Sequence, residues 1–391
     1  MIGNFAKCCA CRACEQICPQ NAIEMKFDAE GFLYPHINWS KCIECQLCEK
    51  RCDFNNDLNL YSVPQKGYAA TAKDNTVLNS SSSGGAFVSI CAAINPNAVI
   101  YGCAYEDGLN ICQVRIEGIK DIGKLQKSKY VQSDTKNTFK LAKQDLRNQK
   151  TVIYSGTPCQ IAGLKAYLGK EYDNLYTIGL ICHGVPSQKL FDSYIDYLQE
   201  KHHIKITNYS FRERHKLFGD IQLGISFGND KKEIHRGWGR DYFMNLYLTG
   251  KCYRNDCYTC KYANKDACRP EDFTIGDCWK IEESVPKLDA ANGVSTILFN
   301  TRKALNTLGS LREYMNLYDV ETDILMKNNP NLIMPTKPNP MRNEIYKAIS
   351  EEIPFKKIAP IFVKHLGYPH MFRVIYKKFK KYFFPSKRCT K

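Results

Sequence analysis

Four stretches of the chain carry a legible pattern of apolar and polar positions. "TVIYSGTPCQIAGLKAYL" (151 to 168) predicts a short buried strand, a Gly-Pro turn and a helix. "NLYTIGLICHGVPS" (174 to 187) predicts a second buried strand that runs into a loop. "FGDIQLGISFGNDKKEIHR" (218 to 236) alternates on both sides of Gly228-Asn229-Asp230, the pattern of a hairpin. "NSSSSGGAFVSICAAI" (79 to 94) is a Ser-Gly run feeding an apolar helix. Helix and strand mixed in this way predict an α+β chain.

The start of the chain shows a different pattern. Cys8, Cys11, Cys14 and Cys18 recur with identical spacing as Cys42, Cys45, Cys48 and Cys52, so each run reads CxxCxxCxxxC. With Pro19, the first is the bacterial ferredoxin run, in which three close thiolates wrap one iron–sulfur cube and the fourth reaches the other cube. Cys8, Cys11, Cys14 and Cys52 then hold one 4Fe-4S cluster, and Cys42, Cys45, Cys48 and Cys18 the second. Cys9 is left over, and Asp53 stands where the second run would repeat the proline. Structural zinc uses two CxxC pairs across a longer loop and fits this triple spacing badly.

Composition divides the chain accordingly. Residues 1–56 form a ferredoxin domain, "NNDLNLYSVPQK" a polar bridge, 66–145 and 146–346 the two parts of a larger domain, and 355–391 a tail. The 44% apolar content supports a packed core. The opening residues lack the apolar core of a secretory signal, so a cytoplasmic setting with reduced thiols is expected, and twenty cysteines point to metal or redox chemistry. The formal charge of +15 is concentrated in the tail, which holds eleven Lys or Arg and no acid; a nucleic-acid partner is therefore not expected. "HMFRVIYKKFKKYFFPSKR" (370 to 388) has the composition of an interfacial helix touching the inner face of a membrane, or equally of a basic end that caps a core.

Cys159 and Cys182 follow the two predicted strands, and Cys257 and Cys260 form a CxxC, which together supply four thiolates for a third 4Fe-4S centre. Three other readings stay open: buried apolar cysteines, a zinc knuckle of Cys252, Cys257, Cys260 and Cys268, or Cys159 as a nucleophile at a helix start. In the Ser-Gly run, Gly84 and Gly85 permit close backbone approach to a phosphate, with a flexible linker as the alternative. "KSKYVQS" (127 to 133) offers a cation, a ring and hydroxyls for an anionic, aromatic cofactor.

The twin runs, "SSSSGGAF", "KSKYVQS", "SGTPCQIAGLKAYL", "ICHGVPS", "CYTCKYAN" and "RPEDFTIGDCW", in order from about residue 5 to 300, resemble the coenzyme F420 hydrogenase/dehydrogenase beta-subunit family in its form with a fused dicluster ferredoxin. The resemblance implies a mixed α/β flavin and iron–sulfur domain, with FAD near Ser82, Ser83, Gly84, Gly85, Ser128, Lys129 and Tyr130. It also implies cluster ligation by Cys159, Cys182, Cys257 and Cys260, and transfers no firm role to Cys268 or Cys278. The implied activity is an oxidoreductase that passes electrons between a one-electron donor such as reduced ferredoxin, the clusters and FAD, with hydride transfer to or from an organic substrate. His183 is the candidate proton donor. The domain order is most similar to members associated with surface polysaccharide synthesis. A chain that only carries electrons to a partner protein is the competing expectation.

Overall fold

The computed structural model describes residues 7–217, 220–285, 288, 290 and 292–363. Strands β1 (Ile23–Phe27) and β2 (Leu33–Ile37) pair antiparallel and lie between the two cysteine runs. An eight-stranded mixed sheet forms the larger body. Its strands are β3 (Lys66–Ala72), β4 (Val99–Glu106), β5 (Asn110–Glu117), β6 (Val152–Gly156), β7 (Leu175–Leu180), then β11 (Phe273–Asp277), β12 (Ser295–Phe299) and β13 (Met315–Asp319). Between β7 and β11 the chain builds a separate antiparallel sheet of β8 (Asn208–Leu217), β9 (Asp220–Asn229) and β10 (Lys232–Gly237). The β9–β10 pair turns at Asp230 and Lys231, so the alternation on both sides of Gly228 is a hairpin.

The large sheet runs β13-β3-β12-β11-β7-β6-β4-β5, so residues 66–145 and 146–346 share it. At its centre β4, β6, β7 and β11 are parallel, and their carboxyl ends open on one edge. Val152, Ile153 and Tyr154 of β6 are fully buried, as expected of a strand covered on both faces. Pro158 opens the helix Pro158–Leu168, where its missing N–H costs nothing, and Gln160 Oε1 accepts the Thr157 N–H at 3.1 Å.

The tail begins later than the sequence suggests. Phe355–Phe362 is a helix whose Phe355, Ile358 and Ala359 are buried beside Leu198 and Ile349, because its apolar stripe finds a core to cover. The stretch 370–388 lies outside the described residues. No helix among the described residues is long and apolar enough to cross a membrane. The polar bridge is pinned rather than loose, since Ser62 and Arg269 exchange both backbone hydrogen bonds at 2.9 Å.

Candidate functional site

The two cysteine runs share a backbone shape. Ala10 and Arg12 in the first, and Glu44 and Gln46 in the second, take left-handed φ angles between 53° and 61°. Alternation of left- and right-handed residues turns successive N–H groups inward and makes an anion-binding nest, the geometry that iron–sulfur sites use. Around the first set, the Ala10 N–H donates to Cys8 Sγ at 3.4 Å, and the Cys14 thiol feels the charges of Cys11, Cys8 and Cys52. Burial pushes Cys8 up to about 11, with Arg254 opposing. In the second set Cys48 is raised mainly by burial, with Cys18 and Cys45 as neighbouring charges; the Ala22 N–H donates to Cys18 Sγ at 3.2 Å. Thiols gathered this closely ionise together only when a cationic centre shares their space, which is the condition an iron–sulfur cube meets.

A third set gathers at the carboxyl edge of the parallel strands. Cys159 follows β6, Cys182 follows β7, and Cys257 and Cys260 come from the loop after Cys252. Cys182 is pushed up to about 12 by burial, then by Cys159 and Cys260. Cys257 is raised well above the ordinary thiol range by burial, then by Asp256 and by Cys182, Cys260 and Cys159. Backbone N–H groups of Gly184 and of Tyr262 and Ala263 point at Cys182 and Cys260, the same N–H to sulfur pattern as in the first two sets. The knuckle alternative does not assemble: Cys252 lies fully buried among Tyr346 and its neighbours, Arg342 being the charge it feels. Cys268 lines a different hollow with Asp53 and Asn264, and Cys278 packs in an apolar cluster with Ala69 and Leu298.

Cys159, Cys182 and Cys257 line a cavity of about 310 Å³, within the ~300–1,000 Å³ of small-molecule and cofactor sites. Ser82, Ser83, Gly85, Ser128, Lys129 and Tyr130 line the same space. Ser82 Oγ accepts the Ser128 N–H at 2.9 Å, so the Ser-Gly loop and the Ser-Lys-Tyr loop are tied together. Burial lowers the Lys129 pKa, and the ammonium donates to the Gln126 carbonyl at 2.9 Å. Tyr130 stacks on Tyr247 with centroids 4.5 Å apart. Arg212, paired with Asp277 at 2.5 Å, and Trp238 also line the cavity beside Tyr130, the Trp238 ring centroid lying 6.1 Å from that of Tyr130.

Gly84 does not line this cavity. A Cβ there would lie 2.2 Å from the Ala70 carbonyl oxygen and 2.5 Å from the Ser295 nitrogen, so its smallness serves packing against β3 and β12. Gly85, at φ 85°, starts the helix Ala86–Ile94 and does face the space. His183 lines the cavity wall; desolvation within it lowers its pKa, and Asp277 acts in the opposite direction.

Two features escaped the sequence reading. Asp53, read there as a lost proline, is buried and accepts from Tyr61 OH at 2.5 Å and Tyr262 OH at 2.9 Å while pairing with Lys261 at 2.7 Å. It ties the end of the second run to the residues after Cys260. Arg254, 1% exposed, donates from Nε to the Cys8 carbonyl at 2.6 Å and from Nη2 to the Leu33 carbonyl at 3.0 Å, and its guanidinium lies 4.2 Å from the Tyr34 ring centroid. A lone Arg between cysteines carries no sequence signal of such a staple. The start of the "RPEDFTIGD" stretch is structural, Asp272 accepting the Thr177 N–H and hydroxyl, both at 2.9 Å, and fastening β7 to the start of β11, while Ile275, Gly276 and Asp277 at its end line the cavity.

Residues 149–321 match the family model for the C terminus of the coenzyme F420 hydrogenase/dehydrogenase beta subunit, and residues 7–56 match the 4Fe-4S dicluster domain. No curated protein matches the chain. Among solved structures, a chain of the F420-reducing NiFe hydrogenase complex from Methanosarcina barkeri is similar at 15% identity with a TM-score of 0.46, over 74% of this chain and 93% of that one. Two family models thus match one chain: the 4Fe-4S dicluster domain over residues 7–56, and the C terminus of the coenzyme F420 hydrogenase/dehydrogenase beta subunit over residues 149–321.

Proposed function

We propose that the chain is an iron–sulfur flavoprotein oxidoreductase. One observation carries the reading: Cys159, Cys182 and Cys257, with Cys260 as their charged neighbour, line the same cavity as Ser82, Ser83, Gly85, Ser128, Lys129 and Tyr130, Cys260 itself lying just outside that lining. These four cysteines would hold a third 4Fe-4S cluster, and the two tied loops would hold FAD. With these groups bound, iron–sulfur cubes supply one-electron exchange and the flavin one- or two-electron exchange, so single electrons can be matched to hydride chemistry on an organic substrate.

The protein's own contribution is placement and charge. Lys129 supplies a cation beside the hydroxyls of Ser82 and Ser128, suited to a phosphate group. Arg212, held by Asp277, and Trp238 line the cavity beside Tyr130, where a substrate's polar and flat portions would lie. His183, whose pKa burial lowers, is the group that would hold or release a proton at the wall. A carbohydrate-linked substrate of surface polysaccharide synthesis is the reading that the domain order suggests.

The donor side is the second run. Ile43, Glu44, Cys45, Gln46 and Leu47 are all exposed, so a one-electron carrier protein such as reduced ferredoxin would dock there. Anaerobic purification with iron, acid-labile sulfide and flavin quantified together tests the whole reading. About twelve iron and one flavin per chain are expected, four iron per cube. About eight iron without flavin would leave the relay reading, and zinc without sulfide would overturn both.

A further inference from the structure

Cys9 is the cysteine of the first run that the cluster spacing leaves over. Its counterpart in the repeat is Ile43, which is 61% exposed, whereas Cys9 is 4% exposed. The equivalent direction that leads to solvent in the second run leads into the protein in the first. There Cys9 lines the large cavity together with Cys159 of the central four, and a smaller hollow together with Cys11 of the first run.

A separate contact brings those two sets together. A Cβ built on Gly163 would lie 2.6 Å from Cys11 Cβ and 2.7 Å from Cys11 Sγ, so Cys11 rests directly on the helix backbone. Cys159 and Gly163 are four residues apart on the helix Pro158–Leu168, hence on one face and roughly 6 Å apart along the axis. The loop is fixed at three carbonyls within four residues: Cys8 accepts from Arg254 at 2.6 Å, Cys9 from Gln132 at 2.8 Å, and Cys11 from Thr135 at 3.0 Å. Cys9 is thus held between the two sets by groups outside both.

We propose that Cys9 is a positioning residue that ligates neither cluster, and that its S–H serves as a hydrogen-bond donor shared between Cys11 and Cys159, coupling the inner N-terminal site to the central one. The inference rests on the reading that Cys159 is a cluster ligand. A thiol has one proton, so it donates to one sulfur at a time. Donors aimed at ligand sulfurs stabilise the reduced, more negative cluster and raise its reduction potential.

The test compares full-length wild-type protein with Cys9→Ala and Cys9→Ser, each purified anaerobically, by iron and sulfide content and by redox titration followed by electron paramagnetic resonance. Iron should stay at about twelve per chain in both variants, four per cube. In Cys9→Ala the midpoint potential of the inner or central cluster should fall while that of the outer cluster stays put; Cys9→Ser, which restores a donor, should bring it back toward wild type. Loss of about four iron from either variant would make Cys9 a ligand and overturn the proposal. Twelve iron with unmoved potentials in Cys9→Ala would reduce Cys9 to a filler, whereas eight iron in the wild type would remove the central cluster itself and the reading beneath the proposal.

Discussion

The two cysteine runs have the same spacing and nearly the same backbone, yet opposite surroundings. Cys9, Ala10 and Ala13 of the first are buried, and their counterparts Ile43, Glu44 and Leu47 are exposed. The first run is held by Arg254, Gln132, Thr135 and the Arg12–Asp134 pair, all reaching from the larger body. Its end is also held, since Gln16 Oε1 accepts the N–H groups of Phe139 and Lys140 at 3.0 and 3.1 Å. The contacts distinguish the two copies: one faces inward to the cavity, and the other faces outward to solvent.

Substitutions should separate the two copies sharply. Arg254→Ala removes a buried cation that staples the first run, and a loss of about 3–5 kcal/mol is expected in denaturant unfolding. Lys41→Ala or Glu44→Ala in the second run should stay within about 0.5 kcal/mol. Asp53→Pro, which restores the proline and makes the two motifs alike, should destabilise by about 2–4 kcal/mol, because the hydroxyls of Tyr61 and Tyr262 and the Lys261 ammonium all lose their acceptor. A stabilised Asp53→Pro protein would contradict the clamp. Gly163→Val should cost about 1–3 kcal/mol by overpacking against Cys11, and under a limiting chelator it should lose the inner cluster's iron faster than wild type.

A buried acid in the larger body gives a pH signature that neither run shares. Burial raises the Glu271 pKa, against smaller opposing effects of Arg269 and Thr274. The unfolded chain therefore ionises at Glu271 before the folded one does. Stability falls as pH rises from the ordinary glutamate value of about 4.3 through the raised folded value, and stays reduced above it. Glu271→Gln should flatten the unfolding midpoint over that window; equal slopes in both proteins would refute the buried-acid account. The smallest effect on stability is expected of Ile43→Ser, within about 0.5 kcal/mol, yet it should slow reduction by a protein donor while leaving reduction by dithionite unchanged.

Much of this was legible in the sequence, for identifiable reasons. Ligand spacing is local, so the twin runs could be read without a fold. The strand, turn and helix around Cys159 follow from apolar patterning and Pro158, and the strand before Cys182 from a continuous apolar run. What the sequence hid depends on distant contacts. Gly84 looks like a phosphate glycine until β3 and β12 are seen to press on it. Asp53 looks like a lost proline until Tyr61, Lys261 and Tyr262 close around it. The helix Phe355–Phe362 looks like part of a basic tail because its apolar residues are interspersed with lysines, and only the core beside Leu198 shows what they cover.

The central claim is that the second run faces solvent, with Cys45 exposed, while the first packs against the larger body. Residue-resolved alkylation during slow iron removal from the holoprotein, read by mass spectrometry, tests it most directly. The account predicts that Cys42, Cys45 and Cys48 are labelled early, and that Cys8, Cys11 and Cys14 are labelled only as the protein unfolds. Labelling of both runs at one rate, or of the first run before the second, would contradict it.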